Sequence, residues 1–269
     1  MMGTTLRVTI AALAGLMGAN VVIGPTWAAD WPTIQKRGYL KVAVADNAFP
    51  LAFRDEAGQL QGFEVDLARQ LAQALLGKSE AVRFQVVRSR DRLQAVMDDR
   101  ADLAIAQVTA TASRRRVVEF SPPYYYNRTV LLTNQPDLSR LPQSTSLSIG
   151  VLPQSSAIAL LKAQFPQSVV VELPSYAVGQ DQLASGKIAV MALDFTTALA
   201  WLRQSPRDRI LPDPLGRYPL GIAMPRGLQF AEFRNRVNQA LQNLKQQGWV
   251  GDRLRHWGLE DPLSVTTIR

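Results

Sequence analysis

The residues able to do covalent chemistry in this chain are few, and the shortage narrows its function at once. It has one histidine, His256, and no cysteine. A nucleophile–base–acid relay would have to be built on His256, which sits beside Trp257 in a helical C-terminal stretch where a structural role fits better. Without cysteine there is no Cys/His zinc pattern and no disulfide framework. No Gly-rich phosphate loop is present either, so no metal and no cofactor is expected. What remains is charge placed for binding. Arg114-Arg115-Arg116 is the only basic run, and Ser155 and Ser156 stand where a strand gives way to a helix, whose first N–H groups suit an anion. Asp194 closes an apolar strand, as a helix N-cap, a ligand carboxylate, or both.

The elements that must position these groups alternate between strand and helix, the mark of α/β layering. Strands are expected at Tyr39–Ala45, Val82–Val87 and Leu103–Val108, with a helix opened by Gly62 that carries Leu67, Leu71 and Leu75 and closes at Gly77. Ser89 can cap a further helix bearing Leu93, Val96 and Met97. A second α/β unit has strands at Thr129–Leu132, Leu147–Leu152, Val169–Leu173 and Ile188–Leu193, with helices after Ser155 and Phe195. Leu220–Met224 reads as a last strand, followed by two helices with Trp249 and Trp257. Pro122-Pro123-Tyr124-Tyr125-Tyr126 and the segment from Asp213-Pro214 to Tyr218-Pro219 punctuate the two ends of the middle unit. They predict two crossings between lobes: lobe 1 over 30–127 and 217–265, lobe 2 over 128–216. Two crossings make a hinge, and the cleft between lobes is where a ligand belongs.

The N-terminus reads as a secretory signal peptide over 1–28. Arg7 precedes an apolar stretch from Val8 to Gly24, and Thr26-Trp27-Ala28-Ala29 supplies small residues for cleavage near Ala28. A net charge of +8 attracts anionic solutes, but the arginines are scattered and no aromatic platform is interleaved with them. Nucleic acid is therefore not an expected partner.

In its motifs the chain resembles the bacterial extracellular solute-binding proteins of family 3, the amino-acid-binding branch. The resemblance rests on Gly62-Phe63-Glu64-Val65-Asp66-Leu67 and on Ala101-Asp102-Leu103-Ala104 running into Thr109-Ala110-Thr111-Ala112-Ser113-Arg114. It continues through Val118-Glu119-Phe120-Ser121-Pro122-Pro123-Tyr124-Tyr125, Tyr218-Pro219-Leu220-Gly221-Ile222-Ala223, Gly248-Trp249 and His256-Trp257-Gly258. It implies a two-lobed periplasmic-binding-protein fold with a central ligand cleft. It also implies a monomer in the periplasm that hands a free amino acid to the permease of an ABC transporter.

The resemblance further assigns Arg114 to the ligand's carboxylate, where a guanidinium fork binds bidentately, and Asp194 to its ammonium. Thr109 would add a hydroxyl and an N–H, Ser155 and Ser156 the helix-start contacts, and Phe49 and Phe63 the walls. The usual Gly-rich turn before Ser155 is replaced by Leu152-Pro153-Gln154. Ser89-Arg90-Asp91-Arg92 resembles the arginine-bearing motif of acidic-amino-acid binders, so Arg92 would read a side-chain carboxylate. Asp46, at the cleft end of the first strand, pulls toward a basic or amide side chain, or simply forms a turn. Glutamate or aspartate is the favoured ligand, then glutamine or another polar neutral residue. The alternatives are a cyclohexadienyl-dehydratase-like enzyme on the same scaffold and a ligand-sensing domain.

Overall fold

The computed structural model describes residues 30–142, 146–153, 155, 157–212 and 215–260. The expected signal peptide, Ser156 and the Asp213-Pro214 part of the second crossing lie outside the described residues. In chain order the first elements are α1 (Trp31–Arg37), β1 (Leu40–Val44), a small hairpin sheet of β2 (Asn47–Ala48), β3 (Ala52–Arg54) and β4 (Leu60–Gln61), then α2 (Phe63–Leu76) and β5 (Val82–Val86). They are followed by α3 (Arg92–Met97), β6 (Leu103–Ala104), β7 (Glu119–Phe120) and the long β8 (Tyr125–Thr133). Next come β9 (Ser148–Val151), α4 (Ala157–Gln164), β10 (Val169–Glu172), α5 (Tyr176–Ala184), β11 (Val190–Asp194) and α6 (Phe195–Leu202). The chain ends through β12 (Arg209–Ile210), β13 (Gly216–Leu220), β14 (Ala223–Met224), α7 (Ala231–Gln246) and α8 (Trp249–His256).

Two sheets carry the fold. The first has the order β5-β1-β6-β14-β7, and the second β10-β9-β11-β8-β12 with β13 also paired to β8. In the first, β1 pairs in parallel with β5 and β6. Helices cover such an interior strand on both faces, so it reads as an apolar run broken only by Lys41; Leu40, Val42, Ala43 and Val44 are all fully buried. On α2 the residues facing the sheet are Leu67, Ala68, Leu71 and Ala72, and full burial of a leucine contributes about 1.5–3 kcal/mol. Helix α7 brings Phe233, Val237 and Leu241 into the same core from the other end of the chain. The second sheet has its own core around Ile149, Val151, Leu161 and Val190.

Gly62 holds the entry to α2. Its φ of 122° and a hypothetical Cβ only 2.3 Å from the Leu51 carbonyl oxygen leave room for glycine alone. Behind it, Asp66 on α2 accepts from the Trp257 indole N–H at 2.9 Å and pairs with Arg253 at 3.4 Å, which docks α8 onto α2.

The two expected crossings turn out to be partners of each other. Tyr125 pairs with Leu220, Asn127 with Tyr218 and Thr129 with Gly216 in an antiparallel ribbon between the sheets. The expected strand over Leu220–Met224 is split in consequence: β13 ends at Leu220 and β14 starts at Ala223. Leu220 completes the ribbon, whereas Ala223 inserts between Ala104 and Phe120. The expected strand Leu103–Val108 also stops early, at Ala104, and Gln107 adopts φ 54°, a left-handed conformation rare for a residue with a side chain. Ser89 does not cap a helix, because its hydroxyl accepts from the Arg92 guanidinium at 2.8 Å instead.

Candidate functional site

On the first lobe the loop after β6 gathers the cations. The Arg114 guanidinium donates to the Thr109 carbonyl at 3.0 Å, and the Arg114 backbone N–H reaches the Thr111 hydroxyl at 3.3 Å. Thr109 is itself pinned by a bridge to Leu220 at the ribbon. Arg114 is exposed, in a short 3-10 turn over Arg114–Arg116, so its guanidinium is oriented by the loop but not consumed by it. Arg92 lies half-buried at the start of α3 and donates to the Gln107 carbonyl at 3.4 Å. Burial is the largest influence drawing Arg92 below its usual pKa; the charge of Glu64 opposes it and that of Arg114 adds to it. Two guanidinium groups thus act on one another on this face, an arrangement that favours an anion between them.

On the second lobe a cavity of about 220 Å³ is lined by Thr129, Leu152, Pro153, Ser155, Tyr176, Ala192, Leu193 and Asp194. Strand pairing sets Asp194 opposite Thr129. Asp194 occupies the N-cap position of α6 with extended backbone, yet its side chain accepts no capping bond from the helix. Among the described residues its side chain makes no hydrogen bond or ion pair. Burial pushes its pKa above the usual carboxylate range. The neighbouring Tyr176 phenol is raised to about 12, by burial and then by the Asp194 charge. Ser155 behaves as a local cap, its hydroxyl accepting from the Ala157 N–H at 3.2 Å.

A larger cavity, about 820 Å³, opens between the hairpin sheet and the end of α6, with Asp46, Phe49, Phe53, Arg54, Asp55 and Glu56 facing Ala200, Arg203 and Gln204. Here the Arg203 guanidinium lies over the Phe49 ring at 4.5 Å, a contact from one lobe to the other. Asp46 pairs with Arg54 at 3.2 Å.

The expected site residues therefore fall into separate groups. Arg92, Thr109 and Arg114 share one face, Ser155 and Asp194 share another, and Asp46 and Phe49 border the larger cavity. Phe63 is a correction. It is fully buried in the first core, 6.1 Å from the Tyr124 ring, because the first turn of α2 points it beneath the sheet rather than into a cleft. Sequence reasoning missed Glu64, Gln107 and Tyr124 under the cation face, and Tyr176 and Thr129 beside Asp194. An acid between Phe63 and Val65 in an otherwise apolar turn was the available signal for Glu64.

Two α/β sheets with separate cores, joined by a paired ribbon and carrying opposite charges on their respective faces, define the two-lobed solute-binding class. The chain belongs to the bacterial extracellular solute-binding proteins, family 3, whose family model matches residues 40–260. It is similar to the ABC transporter glutamine-binding protein GlnH of Bacillus subtilis, 24% identical over 208 residues that cover 77% of this chain and 76% of the relative. It is also similar to the cyclohexadienyl dehydratase of Pseudomonas aeruginosa, 25% identical over 231 residues that cover 83% and 84%. Among solved structures, an ancestral cationic amino acid solute-binding protein superposes with a TM-score of 0.69 at 24% identity, covering 84% of this chain and 98% of the other.

Proposed function

We propose that this chain is the periplasmic amino-acid-binding component of an ABC uptake transporter, a monomer that captures a free L-amino acid between its lobes and delivers it to a membrane permease. The observation that carries this reading is the division of charge. Arg92 and Arg114 are grouped on one lobe, and Asp194 is half-buried on the other without a cation among the described residues. A zwitterion satisfies both halves when the lobes meet. Its carboxylate takes the Arg114 fork and the Thr109 loop, and its ammonium takes Asp194, with Ser155 before α4 and Ser156 as further polar contacts. The moving bodies are residues 30–127 with 217–265, and residues 128–216, and the ribbon of β8 and β13 is the part that bends. The glutamine-binding relative in an ABC system supports an amino-acid ligand.

Glutamate or aspartate is the favoured ligand, because Arg92 offers a second guanidinium beside the first. Glutamine is the second reading, favoured by that same relative and by Glu64, whose charge counters Arg92. Calorimetry of the purified protein with glutamate, aspartate, glutamine and asparagine tests the proposal. Binding of none of the common L-amino acids sinks it. The dehydratase relative makes one further control necessary: steady turnover of a carboxylated cyclohexadiene, with no retained amino acid, would move the protein to the enzymatic reading.

A further inference from the structure

Glu64 is fully buried at the first turn of α2, where a carboxylate is costly. One of its oxygens, Oε1, accepts from the Tyr124 phenol at 2.5 Å and from the Gln107 N–H at 2.7 Å. Its other oxygen is buried without a hydrogen-bond partner, and so is the Nε of Arg92. Between the two lies Gln107, gripped from both sides: Glu64 takes its N–H, and its carbonyl accepts from Arg92 at 3.4 Å. The grip holds Gln107 at φ 54°, a conformation that persists only where surrounding contacts enforce it. Packing alone does not explain the acid. Its neighbours in the turn, Phe63 and Val65, are buried apolar side chains, and the two bonds that Glu64 accepts occupy only one of its oxygens, leaving the other buried and unpaired.

We propose that Glu64 is a specificity-determining positioning residue: through the Gln107 backbone it fixes the Arg92 guanidinium and offsets part of its charge, so that the pocket accepts an amide side chain nearly as well as a carboxylate. This rests on Arg92 as the reader of the ligand side chain. Glu64 touches no ligand itself; it acts through Arg92. Removing its charge leaves Arg92 uncompensated and shifts preference from glutamine toward glutamate.

The test is calorimetry of L-glutamate and L-glutamine on the parent, Glu64→Gln, Glu64→Asp and Arg92→Ala. Glu64→Gln keeps an acceptor for Tyr124 and Gln107, so the turn retains its bonds, and a thermal transition without ligand checks the fold. The expected result is a rise of about tenfold in the glutamate-over-glutamine affinity ratio for Glu64→Gln, with Glu64→Asp keeping the parental ratio. A merely structural role would weaken both ligands together and leave the ratio unmoved. An unchanged ratio in Glu64→Gln, while Arg92→Ala still alters it, overturns the proposal and leaves the Arg92 assignment standing. An unchanged ratio in Arg92→Ala, or a parent that binds neither ligand, overturns the Arg92 assignment and the proposal with it.

Discussion

Asp102 and Asp194 are carboxylates withdrawn from water beside a strand, one leading β6 and the other ending β11, and the two halves of the molecule treat them oppositely. Asp102, 2% exposed, is paired with the Arg37 guanidinium and accepts the Lys41 N–H at 2.7 Å. Burial raises its pKa while these partners pull it back. At Asp194 burial acts with no such counterweight, and the helix it precedes gives it no bond. The first lobe thus completes its own charge pair and gains an internal strut. The second leaves one member missing, which is a cost to the folded protein unless something outside it supplies the cation.

Removing Asp102 should have the largest effect. Asp102→Ala leaves Arg37 and the Lys41 N–H without their acceptor, and urea unfolding should show a loss of about 3–5 kcal/mol. A loss below 1 kcal/mol would erase the contrast. Next come Arg114→Ala and Asp194→Ala, each expected to weaken every α-amino-acid ligand by about 2–5 kcal/mol, roughly 30- to 4,000-fold. Arg115→Ala serves as the charge control and should change little, and ligands lacking the ammonium should not notice Asp194→Ala. Equal binding by parent and folded Arg114→Ala in calorimetry would remove the carboxylate site. Arg92→Ala should cost glutamate about 1.5–3 kcal/mol and glutamine much less.

The smallest effect separates the two aspartates by sign. Asp194→Asn should stabilise the ligand-free protein, by less than about 1 kcal/mol, where Asp102→Asn destabilises it. The pH dependence follows from the raised folded pKa of Asp194. Its neutral form is the better tolerated in the fold, so its contribution is most favourable below the unfolded pKa. It declines as pH rises from the ordinary carboxylate range through the raised folded value. Thermal melts across that window should fall less steeply for Asp194→Asn than for the parent; parallel curves would contradict the assignment.

Most of the scaffold was legible from periodicity. The run Leu40–Val44 is an interior buried strand, Leu67 and Leu71 face the core, and Gly77 ends α2 with φ 77°. Burial patterns, however, do not say which buried face borders a cleft. Phe49 and Phe63 read alike, yet one lies under Arg203 at a cavity and the other under the sheet. Nor does local pattern reveal a backbone forced by a distant residue. The break after Ala104 depends on Glu64, 43 positions before Gln107. The division of Leu220–Met224 depends on Tyr125 and Phe120, which lie about a hundred residues earlier. Such contacts belong to the tertiary structure, where local preference is overruled.

The placement of β14 has a consequence for the order in which the molecule assembles as it is synthesised. Ala223 sits between β6 and β7, and α7 delivers Phe233, Val237 and Leu241 to the same core as Leu40 and Leu67. The N-terminal half is made first, but the strand that joins β6 to β7 and one wall of its core arrive last. The second sheet draws all its strands from the contiguous stretch between Tyr125 and Leu220. The younger part of the nascent chain is therefore able to fold while the older part waits, open, for residues more than a hundred positions downstream. Contacts of such long sequence separation slow folding, so the first sheet is expected to be completed only after the second.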